Sequence, residues 1–224
     1  MIYKLLILFL FLLSCSKQYQ WDKVTIEDAV SSLDQNSNKL ILLDFYSDGW
    51  GACIRLDAET FSNKDVIDFS NQNFISLKLK PWDYKEDKES FHSYGGGPLP
   101  TLIFLNHDGI IVDKIIGFYN AEDYLQKITN IFNGTDTFLS LKNDYISGKN
   151  NMEVLSKLAN KCEYNFDLKL CTDIYSDILL IDENLIDSKI LFKSKLFFAK
   201  INLDNNNSSS ILKLIKETND LESL

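Results

Sequence analysis

The segment that most narrows the architecture is Leu40-Ile41-Leu42-Leu43-Asp44-Phe45-Tyr46, a near-continuous apolar run of strand length. A strand apolar on both faces has to be covered on both faces, which is the place of a central strand in an α/β layer. The neighbouring segments agree. Thr25-Ile26-Glu27-Asp28 sets a hydroxyl at a helix start and a carboxylate three residues on, with Ala29, Val30 and Leu33 as the apolar stripe. A helix is expected from about Gly51 to Phe61, and another from Lys64 to Ser70, capped by Ser62 or Asn63. Phe74 to Leu79 alternates as a strand and stops at Pro81, and the polar stretch Lys85 to Tyr94 could be helical. Thr101 to Leu105 and Ile110 to Ile116 are joined by Asn106-His107-Asp108-Gly109, a hairpin signal because Asp-Gly tolerates positive φ. Ala121 to Phe132 closes the unit as an amphipathic helix. The order predicts an α/β fold, a central mixed sheet flanked by helices.

Composition excludes several functions. The 224 residues carry a net charge of −9 with no lysine- or arginine-rich block, so no nucleic acid partner is expected. None of the four cysteines stands at C-x-x-C spacing, which removes both a zinc knuckle and an intact dithiol centre. His92 and His107 have no carboxylate or cysteine neighbours at metal-ligand spacing, and Gly95-Gly96-Gly97 precedes a proline turn rather than opening a helix after a strand. Neither a metal nor another cofactor is expected.

The first residues read as an address. Met1 to Ser14 has a short positive start and an apolar run of signal-peptide length, too short for a comfortable bilayer span. Leu12-Leu13-Ser14-Cys15 resembles the lipobox of bacterial lipoproteins, which implies cleavage before Cys15 and acylation of that cysteine. A secretory peptide that happens to contain a cysteine is the alternative. On the lipoprotein reading, residues 15–22 are a lipidated tether that holds the protein to a membrane in the bacterial cell envelope, facing the periplasm. Ser16 in place of a retaining aspartate points to the outer membrane.

The element order and the stretch Asp44 to Phe61, with Leu99-Pro100-Thr101 and Asp108-Gly109 to Gly117 further on, resemble the thioredoxin superfamily. The likeness is greatest to envelope-facing members with a C-K-x-L/M-D/E-x-x-T-F continuation, and it covers residues 23–133. The family's chemistry needs two cysteines at i and i+3, an exposed attacker and a resolving partner. An ungapped match from Asp44 puts Cys53 at the resolving position and Trp50 where the attacking cysteine would stand, so the nucleophile is missing. A slipped match, with Trp50 as the family tryptophan, would leave Cys53 a lone residue; Arg55, Leu56, Asp57, Thr60 and Phe61 stay in register without the slip. The resemblance implies that Asp44 accepts a proton from the resolving thiol and that Pro100 is a cis-proline presenting backbone to an extended substrate. The alternative is a polar strand end, a structural turn and an inert buried thiol.

Residues 134–224 are expected to be helical. Leu155, Leu158, Ala159 and Cys162, then Cys171, Tyr175 and Ile178, resemble one tetratricopeptide helix pair, with helices over about Met152 to Glu163 and Asp167 to Leu180. A lone repeat cannot bury its own apolar face, so Leu185 to Ile201 and Ile211 to Leu224 are expected to pack on it as further helices. Cys162 and Cys171 could form a disulfide, could fill small core positions, or one of them could reach Cys53. Two functions remain open from the residues: an envelope oxidoreductase acting through the single thiol of Cys53, with a client or a redox partner supplying the second thiol, or a redox-inactive module that binds an envelope protein. A specialised reductase that takes Cys162 or Cys171 as its second thiol is a third.

Overall fold

The computed structural model describes residues 18–165, 167–181 and 186–204, without the side chains of 202–204. The address segment, Cys15 and the helix expected over Ile211 to Leu224 lie outside the described residues. Four strands form one sheet in the order β2-β1-β3-β4: β1 Leu40–Phe45, β2 Phe74–Leu79, β3 Thr101–Leu105 and β4 Ile111–Ile116. β1 pairs in parallel with β2 and antiparallel with β3, and β3 pairs antiparallel with β4. This is the mixed sheet anticipated, with the apolar run at its centre.

Alternation along the strands divides the core into two layers. Ile41, Leu43 and Phe45 of β1, with Ile103 and Leu105 of β3, pack under α1 (Ile26–Ser31) and against Phe91. Thr25 caps α1 through its hydroxyl, which accepts from the Asp28 N–H at 3.0 Å. Leu42, Leu102 and Phe104 face the other way, toward Leu56, Phe61, Val66, Tyr124 and Ile128. Leu56 starts the π-helical turn (Leu56–Thr60) that continues α2 (Gly51–Arg55), Phe61 ends that turn, Val66 is in α3 (Lys64–Asn73), and Tyr124 and Ile128 are in α5 (Ala121–Phe132). α4 (Lys85–Ser93) realises the polar stretch as a helix and buries Phe91 alone.

Both edges of the sheet are covered, which protects their unpaired backbone groups from pairing elsewhere. On the β2 edge, the Asp22 N–H donates to the Ser76 carbonyl at 2.7 Å and the Ser76 N–H donates to the Asp22 carboxylate at 3.0 Å. Asn71 accepts from the Gln20 N–H and donates to the Gln18 carbonyl. Tyr19 and Trp21 stack at 4.4 Å and both rest on Phe61. Residues 18–22, expected as part of a tether, are therefore a docked strap; two aromatic rings in five residues have more to gain on Phe61 than in water.

The β4 edge is covered by α6 (Phe138–Ile146), an element that the residue pattern did not single out. α7 (Met152–Cys162), α8 (Leu168–Leu179) and α9 (Ser188–Asp204) follow, each packed on its predecessor around Leu155, Leu158, Ala159, Ile174, Tyr175 and Ile178. Among the described residues, no helix is long and apolar enough to cross a membrane. An ion pair ties this tail to the sheet: Lys161 of α7 donates to Asp113, a buried residue of β4. Burial pushes the Asp113 carboxyl up and Lys161 pulls it back.

Removing one partner of a buried pair strands the other, whereas removing both is close to neutral. Lys161→Met is therefore expected to lower stability by about 3 kcal/mol at neutral pH, and Asp113→Asn on top of it to restore most of the loss. Urea unfolding of the two single variants and the double variant measures the coupling.

Candidate functional site

The site grows out of the C-terminal end of β1. Because side chains alternate, Asp44 points to the same side as Leu42, into the layer under α2, and only 1% of it is exposed. One oxygen, Oδ1, has no hydrogen-bond partner among the described residues, and Oδ2 lies 3.9 Å from Lys78 Nζ. Desolvation pushes the carboxyl up to about 7, Lys78 pulls it down, and Asp57 raises it.

Lys78 is the register partner of Asp44 on β2. Its ammonium pairs with Asp57 and sits over the rings of Tyr46, Trp21 and Phe61 at 4.5, 4.9 and 5.8 Å. The docked strap thus contributes one wall of the lysine's aromatic enclosure. Sequence reasoning passed over Lys78; the signal available was a single charge between Leu77 and Leu79 in the strand.

Trp50 and Cys53 lie three residues apart at the start of α2 with opposite fates. Trp50 is the N-cap, in extended conformation with no side-chain capping bond, and the residue is 58% exposed. Its carbonyl accepts from the Cys53 and Ile54 N–H groups at 2.9 and 3.1 Å, which starts the helix. Cys53 is 3% exposed. Burial pushes its thiol up, the Ser47 backbone partly offsets this, and Asp44 and Asp57 add to the rise. The thiol is held protonated beside a carboxyl that is itself largely protonated in slightly acidic solution.

Pro100 follows a cis Leu99–Pro100 bond and opens β3. Its carbonyl accepts from the Gly117 N–H at 2.9 Å, and Thr101 Oγ1 donates to the Pro98 carbonyl at 2.7 Å. The triple-glycine approach has a steric cause: a Cβ on Gly96 would lie 2.4 Å from the Phe91 ring. Lys114 Nζ donates to the Gly95 carbonyl at 2.8 Å and to the Tyr164 carbonyl at 3.3 Å, linking this loop to the end of α7. Burial pushes Lys114 down to about 8.

Asp44 and Cys53 are both buried and within electrostatic range of each other, and Trp50 is at the surface. Beside Trp50 is a 190 Å³ cleft lined by Tyr46, Ser47, Asp48, Gly49, Lys80 and Trp82, with Lys80 bound to Asp48 at 2.5 Å. Trp82 is 61% exposed, and Ile54 is exposed as well. Cys162 and Cys171 are free and buried in the core of the tail, a cluster to which Cys53 does not belong.

Residues 26–132 match a family model described as a thioredoxin-like domain. The thiol-disulfide oxidoreductases ResA of Bacillus anthracis and of Bacillus thuringiensis (strain Al Hakam) are each 37% identical to the chain over 71 residues, which is 29% of this chain and 40% of each relative. The chain thus spans two-fifths of the length of these curated relatives. A candidate disulphide-isomerase from Bacteroides thetaiotaomicron, solved in solution, is 26% identical, over 52% of this chain and 94% of that one, with a TM-score of 0.45. The oxidised C-terminal domain of Neisseria meningitidis DsbD is 20% identical, over 50% and 97%, with a TM-score of 0.42.

A carboxyl whose folded pKa is raised binds a proton more tightly in the native state than in the unfolded chain, so stability falls as pH rises across the interval between the two values. For Asp44 that interval runs from 3.8 to about 7. The full loss is about 4 kcal/mol at 1.36 kcal/mol per unit. Asp44→Asn should match the parent chain near pH 4, gain on it as pH rises to 7, and hold a constant lead above that. Denaturant midpoints across this pH range measure the slope, and equal slopes for the two proteins would refute the assignment.

Proposed function

Residues 26–132 belong to the thioredoxin superfamily, as a thioredoxin-like domain of the thiol-disulfide oxidoreductase type, and from that premise we propose that the chain works as a polypeptide-binding module rather than as a turnover catalyst. The observation that carries this reading is the inversion at α2: the exposed N-cap position, where an attacking thiolate would be needed, holds Trp50, and Cys53, three residues on, is buried and protonated. An indole cannot form the mixed disulfide, but it is a strong anchor for an apolar or extended segment. Trp82 and Ile54 enlarge the apolar surface, and the backbone of Leu99, just before cis-Pro100, is the main-chain group proposed to meet an extended partner.

The location is part of the proposal. Residues 1–14 serve as a signal and Cys15 as a lipid anchor in the cell envelope, with the outer membrane as the destination. The anchor then precedes the docked strap by three residues, which keeps the domain close to the membrane surface. The client is an envelope protein, reached by the Trp50 face and by the tail.

A second reading is favoured by Asp44, whose carboxyl sits beside Cys53 and titrates near neutrality. In that reading Cys53 exchanges with a client disulfide as a single thiol, and a thiol of the client or of another protein resolves the product.

The two readings part on one set of variants. With a reduced, carboxymethylated unfolded polypeptide as the probe, Cys53→Ser should bind as the parent does, and Trp50→Ala should lose about tenfold or more in affinity. Trp50→Cys, which restores cysteines at i and i+3, should gain a disulfide-reductase activity that the parent lacks. Disulfide turnover by the parent chain that disappears in Cys53→Ser would establish the single-thiol reading instead.

A further inference from the structure

The tail contains a second thiol chemistry, independent of Cys53. α7 and α8 run antiparallel, and their register is given by Tyr175, whose hydroxyl donates to Glu163 at 2.6 Å and lies 3.2 Å from the Ala159 carbonyl. One turn back along α8 from Tyr175 is Cys171, and one turn on along α7 from Ala159 is Cys162. The same register that pairs Tyr175 with Ala159 therefore sets the two cysteines opposite each other. Both have no exposed surface, and both belong to one packed cluster. The Cys162 thiol is pushed up chiefly by its contact with the Cys171 thiol and then by burial. Cys162 is the last residue of α7 and Cys171 lies in the first turn of α8, so the pair spans a short turn at the helix ends, where the backbones can adjust.

We propose that Cys162 and Cys171 are an oxidisable dithiol that closes to an intramolecular disulfide and staples the α7–α8 turn. The oxidant is a disulfide, of which oxidised glutathione is the simplest. The thiolate of one cysteine attacks the glutathione S–S bond, forming a mixed disulfide and releasing one glutathione thiolate. The second cysteine, having lost its proton to solvent, attacks the protein sulfur of that mixed disulfide. The intramolecular S–S bond forms and the second glutathione leaves; two electrons have passed to glutathione, and its two thiolates take up the two protons. Because both sulfurs are buried, the exchange runs during folding or through opening of the turn.

The staple has a structural consequence. Cys162 stands between Lys161, which pairs with Asp113 of β4, and Tyr164, whose carbonyl accepts from Lys114. Closing the disulfide fixes the helix end that carries both contacts from the tail to the sheet.

The test uses the full chain, refolded in parallel in oxidised glutathione and in dithiothreitol, acid-quenched, alkylated under denaturing conditions, digested and mapped by mass spectrometry. The glutathione sample is expected to yield one linked peptide pair joining Cys162 and Cys171, two hydrogens lighter than the free peptides, and an unfolding temperature several degrees above that of the dithiothreitol sample. A Cys162→Ala/Cys171→Ala chain is expected to unfold at one temperature in both conditions. Recovery of both cysteines alkylated from the glutathione sample, each capped by its own glutathione, or either joined to Cys53, would overturn the proposal. A linked pair with no difference in unfolding temperature would remove the staple.

Discussion

Everything at the site depends on β1 being buried on both faces. Ile41, Leu43 and Phe45 fill the layer beneath α1, and the intervening positions turn to the layer beneath α2. Leu42 suits that layer and Asp44 does not, yet a strand of period two cannot turn one side chain away without slipping its whole register. The parallel pairing with β2 sets Lys78 opposite Asp44, so the ammonium that partly compensates the carboxyl is supplied by the same ladder that buries it. Asp57 and three aromatic rings then hold the lysine. Each feature follows from placing one carboxyl in a two-sided strand.

The covered edges extend this logic outward. The strap on β2 satisfies edge backbone through Asp22 and also closes the lysine enclosure with Trp21. The tail on β4 covers the opposite edge and reaches the site along a different path, through Lys114, which bridges the Gly95 carbonyl and the Tyr164 carbonyl. The loop that leads into cis-Pro100 is thus tied to the helical tail by a single cation, and the sheet is the common frame of both.

Much of this was legible from residue order because it rests on local signals. The Leu40 to Tyr46 run, the Thr25 cap, the Asp108-Gly109 hairpin and the apolar stripe of α5 each name their element without tertiary information. The resemblance at Asp44 to Phe61 was readable for the same reason, since the spacing of Asp44, Trp50 and Cys53 is a property of the chain. What escaped depends on partners far apart in sequence. The strap reads as a tether until Phe61, some forty residues on, gives its rings a surface. α6 has nine residues and fully buries only Phe138 and Leu141, and its role is set by packing on β4, more than twenty residues back in the chain. The depth of Cys53 follows from how α2 lies on the sheet, which no local pattern encodes.

The protonation states of the site decide what chemistry is open to it. A thiolate at Cys53 would face Asp44 and Asp57 in a desolvated pocket, and each of these terms raises the cost of ionising it. Trp50, at the position where the N-terminal end of α2 would favour an anion, has no proton to lose and no sulfur to offer. The sulfur is protonated and buried, and the residue that is exposed carries no thiol. With nucleophilicity and exposure assigned to different residues, the binding role proposed above would draw its free energy from burying the indole and from main-chain pairing, whereas the single-thiol role would first have to expose and ionise Cys53.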